Sequence, residues 1–272
     1  MHIPSHTYHK APQSYSKVHS PPLPTPTPPT STQIITFSIR DSATLDDPTS
    51  LDGQIWNNVL DILQNWPGFR RLYWGRHVEE AWKVQVLVVR ETLTQHHAFL
   101  TSPQWTTTTH LLRPLYPAAA VVAAAAAPNS ETTDTAETKP EVHHAALQNF
   151  TTNPRTLCNA PVTGTAIYLT TSNPGWEKAW SLWTTLVPSV KGCLGCTGGW
   201  IAEAIDGHEG AYVVYVGWES IEDHDVYHHT RDFARKRVIL EQHNAGWRGY
   251  GHVRFLGGRG GDNEGKRREG RL

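Results

Sequence analysis

Histidine is the residue type in this chain best suited to proton chemistry, and there are sixteen of them. His96 and His224 form a repeated pair. Each stands one turn before an aromatic residue, Phe99 or Tyr227, at the border of a helix's apolar stripe. An imidazole with an unperturbed pKa of about 6.5 can accept or donate a proton near neutral pH. His144 and His252 fall at matching places on later strands. We read His224, Tyr227 and His252 as the candidate catalytic group, because the second copy has a phenol where the first has Phe99. In an apolar cleft His224 would favour its neutral form, since burial disfavours charge. Trp180, Trp200, Tyr215 and Trp218 could wall a flat substrate, with His96 as a further binding residue. Simpler readings stand beside these: a border histidine that bonds a loop, and tryptophans that pack a core.

Other chemistry finds less support. His224 and His228 are spaced i, i+4 and could share a helix face. The neighbours His96-His97, His143-His144 and His228-His229 point apart, whether on a helix or on a strand. There is no HExxH, and the CxxC formed by Cys193 and Cys196 has no second pair, so no metal site is expected. The nucleophile elbow, the Walker A loop and a GxGxxG between strand and helix are also missing.

These residues must be positioned by elements, and the elements repeat. At an offset of 128, VQVLVVRETLTQHHAFLTSPQW (84–105) aligns without gaps on YVVYVGWESIEDHDVYHHTRDF (212–233). Each window reads as a strand followed by a helix start, with Thr92/Gln95 and Ser220/Asp223 at capping-box spacing. Upstream the offset is 124, which pairs Trp56 with Trp180 and Gly68 with Gly192. The stretches around those tryptophans carry apolar residues on one helical face. In the second, Asn173 and Pro174 read as N-cap and N1. Strands are expected at 33–40 and 165–171 before these helices, and at 141–150 and 250–256 after the later ones. Each half is therefore βαββαβ, a ferredoxin-like α+β pattern whose helices cover one sheet face. Packing the bare faces together would bury both on one chain.

WESIEDHDVYHHTRDF, its partner RETLTQHHAFLTSPQW and the Pro-Gly-Phe at 67–69 resemble the dimeric α+β barrel superfamily, nearest to antibiotic biosynthesis monooxygenase domains. The Ser-Pro-aromatic step of that pattern stands at Ser102-Pro103-Gln104-Trp105 and is replaced by Thr230-Arg231-Asp232-Phe233 in the second copy. The resemblance covers roughly residues 33–116, 140–150 and 164–256. It implies a pseudo-dimeric barrel made of two tandem copies. It also implies cofactor-independent oxygenation or cyclisation of an aromatic or polyketide-like compound, as in secondary metabolism. A non-catalytic ligand-binding or interaction protein of the same fold is the alternative. The haem-degrading branch is not matched, since its Trp and His positions would fall near Tyr227 and Arg237, and no cofactor is expected.

Composition bounds the rest. The expected organisation is a disordered arm (1–32), a first domain (33–150) with a low-complexity insertion (117–139), a linker (151–163), a second domain (164–256) and a disordered tail (257–272). The arm, insertion and tail are too poor in large apolar residues to offset the entropy of ordering. A net charge of −1 and a pI near 7.0 argue against nucleic-acid binding. The longest apolar run, Ala118 to Ala127, is too short to span a bilayer. Three cysteines do not make a disulfide framework. A cytoplasmic setting is expected, as a monomer by internal pseudo-dimer or as a homodimer.

Overall fold

The computed structural model describes residues 30–117, 139–149 and 159–260. The expected arm, insertion and tail lie outside the described residues except at their edges, as does most of the linker.

The first half runs β1 (Ser31–Ser38), α1 (Leu51–Asn65), β2 (Phe69–His77), β3 (Lys83–Arg90), α2 (Leu93–Leu100) and α3 (Pro103–Leu112). Its last strand comes in two pieces, β4 (Glu141–Ala145) and β5 (Gln148–Asn149). The second half runs β6 (Val162–Thr170), α4 (Asn173–Leu186), β7 (Cys193–Trp200) and β8 (Ala211–Trp218). Three short helices, α5 (Ile221–His228), α6 (Arg231–Lys236) and α7 (Val238–Glu241), then lead to β9 (Asn244–Gly260). Local chemistry explains the helix starts. Thr92 and Gln95 form the expected reciprocal box on α2, and Ser220 Oγ accepts from Asp223 N at 3.0 Å on α5. On α4 the N-cap is Ser172 rather than Asn173. Ser172 has the extended backbone that a cap requires, and its hydroxyl accepts from Gly175 N.

All strand pairings are antiparallel, in the order β4-β1-β3-β2-β9-β6-β8-β7-β5. Because β5 follows β4 almost directly, the order closes into a ring. The two halves meet at two seams, and at each a last strand crosses from its own sheet to the other. β9 pairs with β6 over its first part and with β2 from Val253 to Gly260. The β4–β5 strand leaves β1, bridges Ile201 through Ala145 and then pairs with β7. Matching backbone bonds mark the seams: Val78 N–H donates to His252 O and Ala202 N–H to His144 O, both at 2.8 Å. The expected boundary at 256 is thus passed. Residues 257–260 stay in β9 because the edge of β2 offers them partners, which composition could not show.

Three cores follow from the ring. Inside it, Ile34, Tyr73 and Leu87 of the first half pack with Leu169, Val213 and Tyr215 of the second, so the two sheets face one another. Outside it, each helix layer covers its own sheet, around Trp56 in one half and around Trp176 and Trp180 in the other. The close crossing at the seams requires glycine at matching positions. A Cβ at Gly75 would lie 2.2 Å from Arg254 O, and one at Gly199 would lie 2.2 Å from Ala146 O. We therefore expect Gly75→Val to destabilise the chain by roughly 1–3 kcal/mol or more. Urea unfolding monitored by tryptophan fluorescence measures this, and an unchanged midpoint would show that the seam tolerates a side chain there.

Candidate functional site

The site lies between the sheet and the helices of the second half. On the short helix α5 the buried residues are His224 and Tyr227, placed one turn apart by helical spacing. The indole of Trp218, at the end of β8, stacks on the His224 ring at 4.5 Å and 21°. His224 is only 8% exposed and His252, on β9, only 3%. Their rings are hydrogen-bonded, Nδ1 of His224 to Nε2 of His252, at 2.7 Å. A third member comes from the other half. Glu79, in the loop between β2 and β3, accepts from His252 Nδ1 at 2.5 Å and from His252 N at 2.9 Å.

This chain of contacts sets the proton positions. A carboxylate only accepts, so His252 carries its proton on Nδ1 and presents the Nε2 lone pair. With His252 neutral, His224 donates through Nδ1 and keeps the lone pair of its Nε2 as a base. Burial holds the His224 pKa down to about 3, with the rings of His228 and His252 adding to the effect, so the imidazole is neutral at pH 7. Burial opposes ionisation of Glu79, but the ring and backbone donors of His252 outweigh it and hold the carboxyl below its ordinary value. Burial raises the Tyr227 phenol to about 12, so it remains a donor, and its hydroxyl has no partner. Such an arrangement can move a proton. His224 Nε2 accepts it while the Nδ1 proton passes to His252, and the positive charge comes to rest beside Glu79 rather than in the desolvated cleft.

A cavity of about 360 Å³ opens beside these groups, lined by Trp180, Trp183, Trp218, Tyr227, Phe233 and Tyr250 among others, with His224 in its wall. Small-ligand pockets are typically about 300–1,000 Å³ and mostly apolar. Gly164, near the start of β6, keeps this space open, since a Cβ there would sit 3.1 Å from His224 Cε1. In the first half the equivalent register position is Gln33, opposite His144 as Gly164 is opposite His252. Its amide reaches His144 Nε2 at 3.2 Å. Arg90 stands where the second half has Trp218. It is fully buried, bonded to Leu63 O and Trp66 O, and its guanidinium lies 5.3 Å above the Phe99 ring. Those two side chains occupy the corresponding space. We expect Gly164→Gln to fill the cavity in the same way, with the protein still folded. An apolar dye that binds the cavity should lose at least tenfold in affinity, at a melting temperature within a few degrees of wild type. Undiminished dye binding would place the ligand elsewhere.

The sequence-derived candidates divide as follows. His224, Tyr227 and His252 come together, and Trp180 and Trp218 line the cavity. Tyr215 does not: it points into the barrel interior. Trp200 is also elsewhere, donating to Glu177 Oε1 at 2.8 Å and packing edge-on against Tyr212. His96 belongs to the first half, where its Nε2 meets Ser31 O at 3.0 Å. Glu79 was missed. A signal existed: the offset of 124 that pairs Trp56 with Trp180 also pairs Glu79 with Glu203. Glu203 grips His144 through ring and backbone just as Glu79 grips His252.

No family model and no curated protein matches the chain. Solved structures do. An anthrone oxidase-like protein superimposes with a TM-score of 0.58 at 10% identity, over 85% of this chain and 93% of that one. A provisionally assigned monooxygenase from Fusobacterium nucleatum subsp. nucleatum gives 0.51 at 6% identity, over 85% and 94%. At such identities the fold is what is shared. The chain has the fold of a dimeric α+β barrel, with both copies in one polypeptide. Among the described residues no helix is long and apolar enough to cross a membrane.

Proposed function

We propose that the protein is a small-molecule enzyme that deprotonates a flat phenolic or enolisable compound in the second-half cavity and carries it to an oxygenated or cyclised product without a cofactor. The single observation behind this reading is the relay Glu79–His252–His224, which ends in a neutral imidazole at the wall of an apolar, tryptophan-lined cavity. His224 acts as the base, and Tyr227 donates a hydrogen bond to the substrate oxygen. His252 and Glu79 take up the positive charge. Aromatic walls favour a planar substrate, with Arg237 and Glu241 as the charged groups of the lining. The resulting anion is electron-rich. With dioxygen as oxidant, a CH2 flanked by aromatic rings becomes a carbonyl; one oxygen atom enters the product and the other leaves as water. The name of the anthrone oxidase-like structure agrees with this class of reaction.

The test is to purify the full chain, identify by mass spectrometry any small molecule that co-purifies, and supply it, or an anthrone as a surrogate, under an oxygen electrode. Oxygen consumption and a product heavier by the exchange of two hydrogens for one oxygen support oxygenation, and an isomer formed without oxygen uptake supports cyclisation. Tight binding with no conversion would make this a ligand-binding protein instead.

A further inference from the structure

The two halves have diverged around a shared Glu–His pair, and the first half gathers groups that the second lacks. His144 on β4 is buried, with Nδ1 at 2.5 Å from Glu203 Oε1. Glu203 comes from the loop between β7 and β8 of the other half. On α2 stands His97, whose ring is 5.1 Å from that of His144. One potential ligand atom from each of His97, His144 and Glu203 lies within 4.8 Å of the other two. At the equivalent of His97 the second half has Asp225, and among the described residues no comparable group forms there.

We propose that His97, His144 and Glu203 bind one divalent transition-metal ion of the Zn2+ type, clamping the first half to the second at a seam. The donor set of two imidazoles and one carboxylate suits zinc or a similar borderline cation. One ligand is fixed and two can adjust. His144 is held by the β4 ladder, whereas His97 is exposed and the Glu203 side chain is one-third exposed. Small rotamer changes bring such atoms onto one ion.

The second observation is Gln33. It is fully buried, and its Oε1 has no partner. With Nδ1 of His144 protonated toward Glu203, Nε2 accepts from the amide nitrogen, and the oxygen is left orphaned. A metal on Nδ1 selects the other tautomer, with the ring's single N–H on Nε2. Turning the Gln33 amide over then lets Oε1 accept it. Metal-bound histidines almost always donate their other ring N–H to an acceptor, and Gln33 Oε1 is the group placed to supply one. In the second half Gly164 can offer no such acceptor, and His224 takes its place against His252.

The experiment uses the full chain, stripped with a chelator and then titrated with Zn2+ by calorimetry. Co2+ serves as a visible-absorbing substitute. Wild type should bind one equivalent that His97→Ala lacks, and Zn2+ should raise the melting temperature of wild type alone. Glu203→Gln should weaken that equivalent by roughly tenfold or more, since even the loss of an outer-shell partner costs about that much. His97 is exposed, so its substitution leaves the packing intact. The variant comparison also removes any contribution from histidines elsewhere in the chain. If His97→Ala and Glu203→Gln both bind Zn2+ with wild-type stoichiometry and affinity, the site does not exist and Glu203–His144 is only an ion pair. The readout is metal binding, so it is independent of any activity in the second half.

Discussion

Substituting His224 with alanine should lower turnover of the phenolic substrate by roughly 10²–10⁴-fold, the usual contribution of a positioned general base. Three companion variants separate the roles. Tyr227→Phe should raise KM more than it lowers kcat, because the phenol donates to substrate in the ground state as well as in the transition state. His252→Asn should approach the loss seen for His224→Ala, since the second imidazole receives the proton that His224 passes on. Glu79→Gln should act through His252 alone. It keeps an acceptor for the Nδ1 proton but removes the negative charge that receives the relay's positive one. Its kcat should fall by about tenfold or more, and its pH–rate profile should move, which a purely structural role would not cause. Circular dichroism and thermal melts establish folding for each variant. Wild-type rates in both His224→Ala and Glu79→Gln would remove the relay from the reaction.

Acid should destabilise the protein through the same histidine. The ordinary pKa of 6.5 is lowered to about 3 in the folded chain, by burial first and then by the rings of His228 and His252. Above pH 6.5 both folded and unfolded states hold His224 neutral, and the residue contributes no pH dependence. Below that value the unfolded chain binds a proton that the folded chain refuses. Stability therefore falls with pH from about 6.5 down to about 3, at a limiting slope of about 1.4 kcal/mol per pH unit for this one group. Urea unfolding at pH 7, 6, 5 and 4 measures the slope. In His224→Phe the curve should be shallower by up to one proton. Nuclear magnetic resonance gives a direct check, since the His224 ring signals should stay in place between pH 7 and 5. A His224 signal with a midpoint near 6.5 would contradict the burial that carries the proposed chemistry.

Much of this arrangement could be read from residue order. The offset match between 84–105 and 212–233, with capping signals at Thr92 and Ser220, was enough for two βαββαβ units and for pairing His96 with His224. These are local properties. Helical spacing puts His224 and Tyr227 on one face, and a hydroxyl at a helix start fixes where the helix begins. The bare sheet faces required something to cover them, and on one chain the other copy was the nearest answer. The fit of Trp180 and Trp218 to a cavity wall belongs here too, since Trp180 stands on the apolar face of α4 and Trp218 on the sheet face that the helices cover.

The remainder was decided by ring closure. Every strand of a closed barrel with helices outside is buried on both faces, so the polar–apolar alternation that identifies an inner face disappears. AYVVYVGW on β8 reads the same in either orientation. Only the fold sends Val213 and Tyr215 inward, and Tyr212 and Val214 toward the helices. The crossing of each last strand was equally hidden, because pairing between distant edges leaves no period in the sequence. That crossing carries β9 through Gly260 and brings Glu79 to His252 and Glu203 to His144 across the seams. One small substitution completed the difference between the halves. Gly164 stands where the first copy has Gln33, so one copy keeps a cavity beside its histidines while the other fills that space with an amide. Which of two aligned residues leaves room depends on what packs against it, and packing belongs to the tertiary structure.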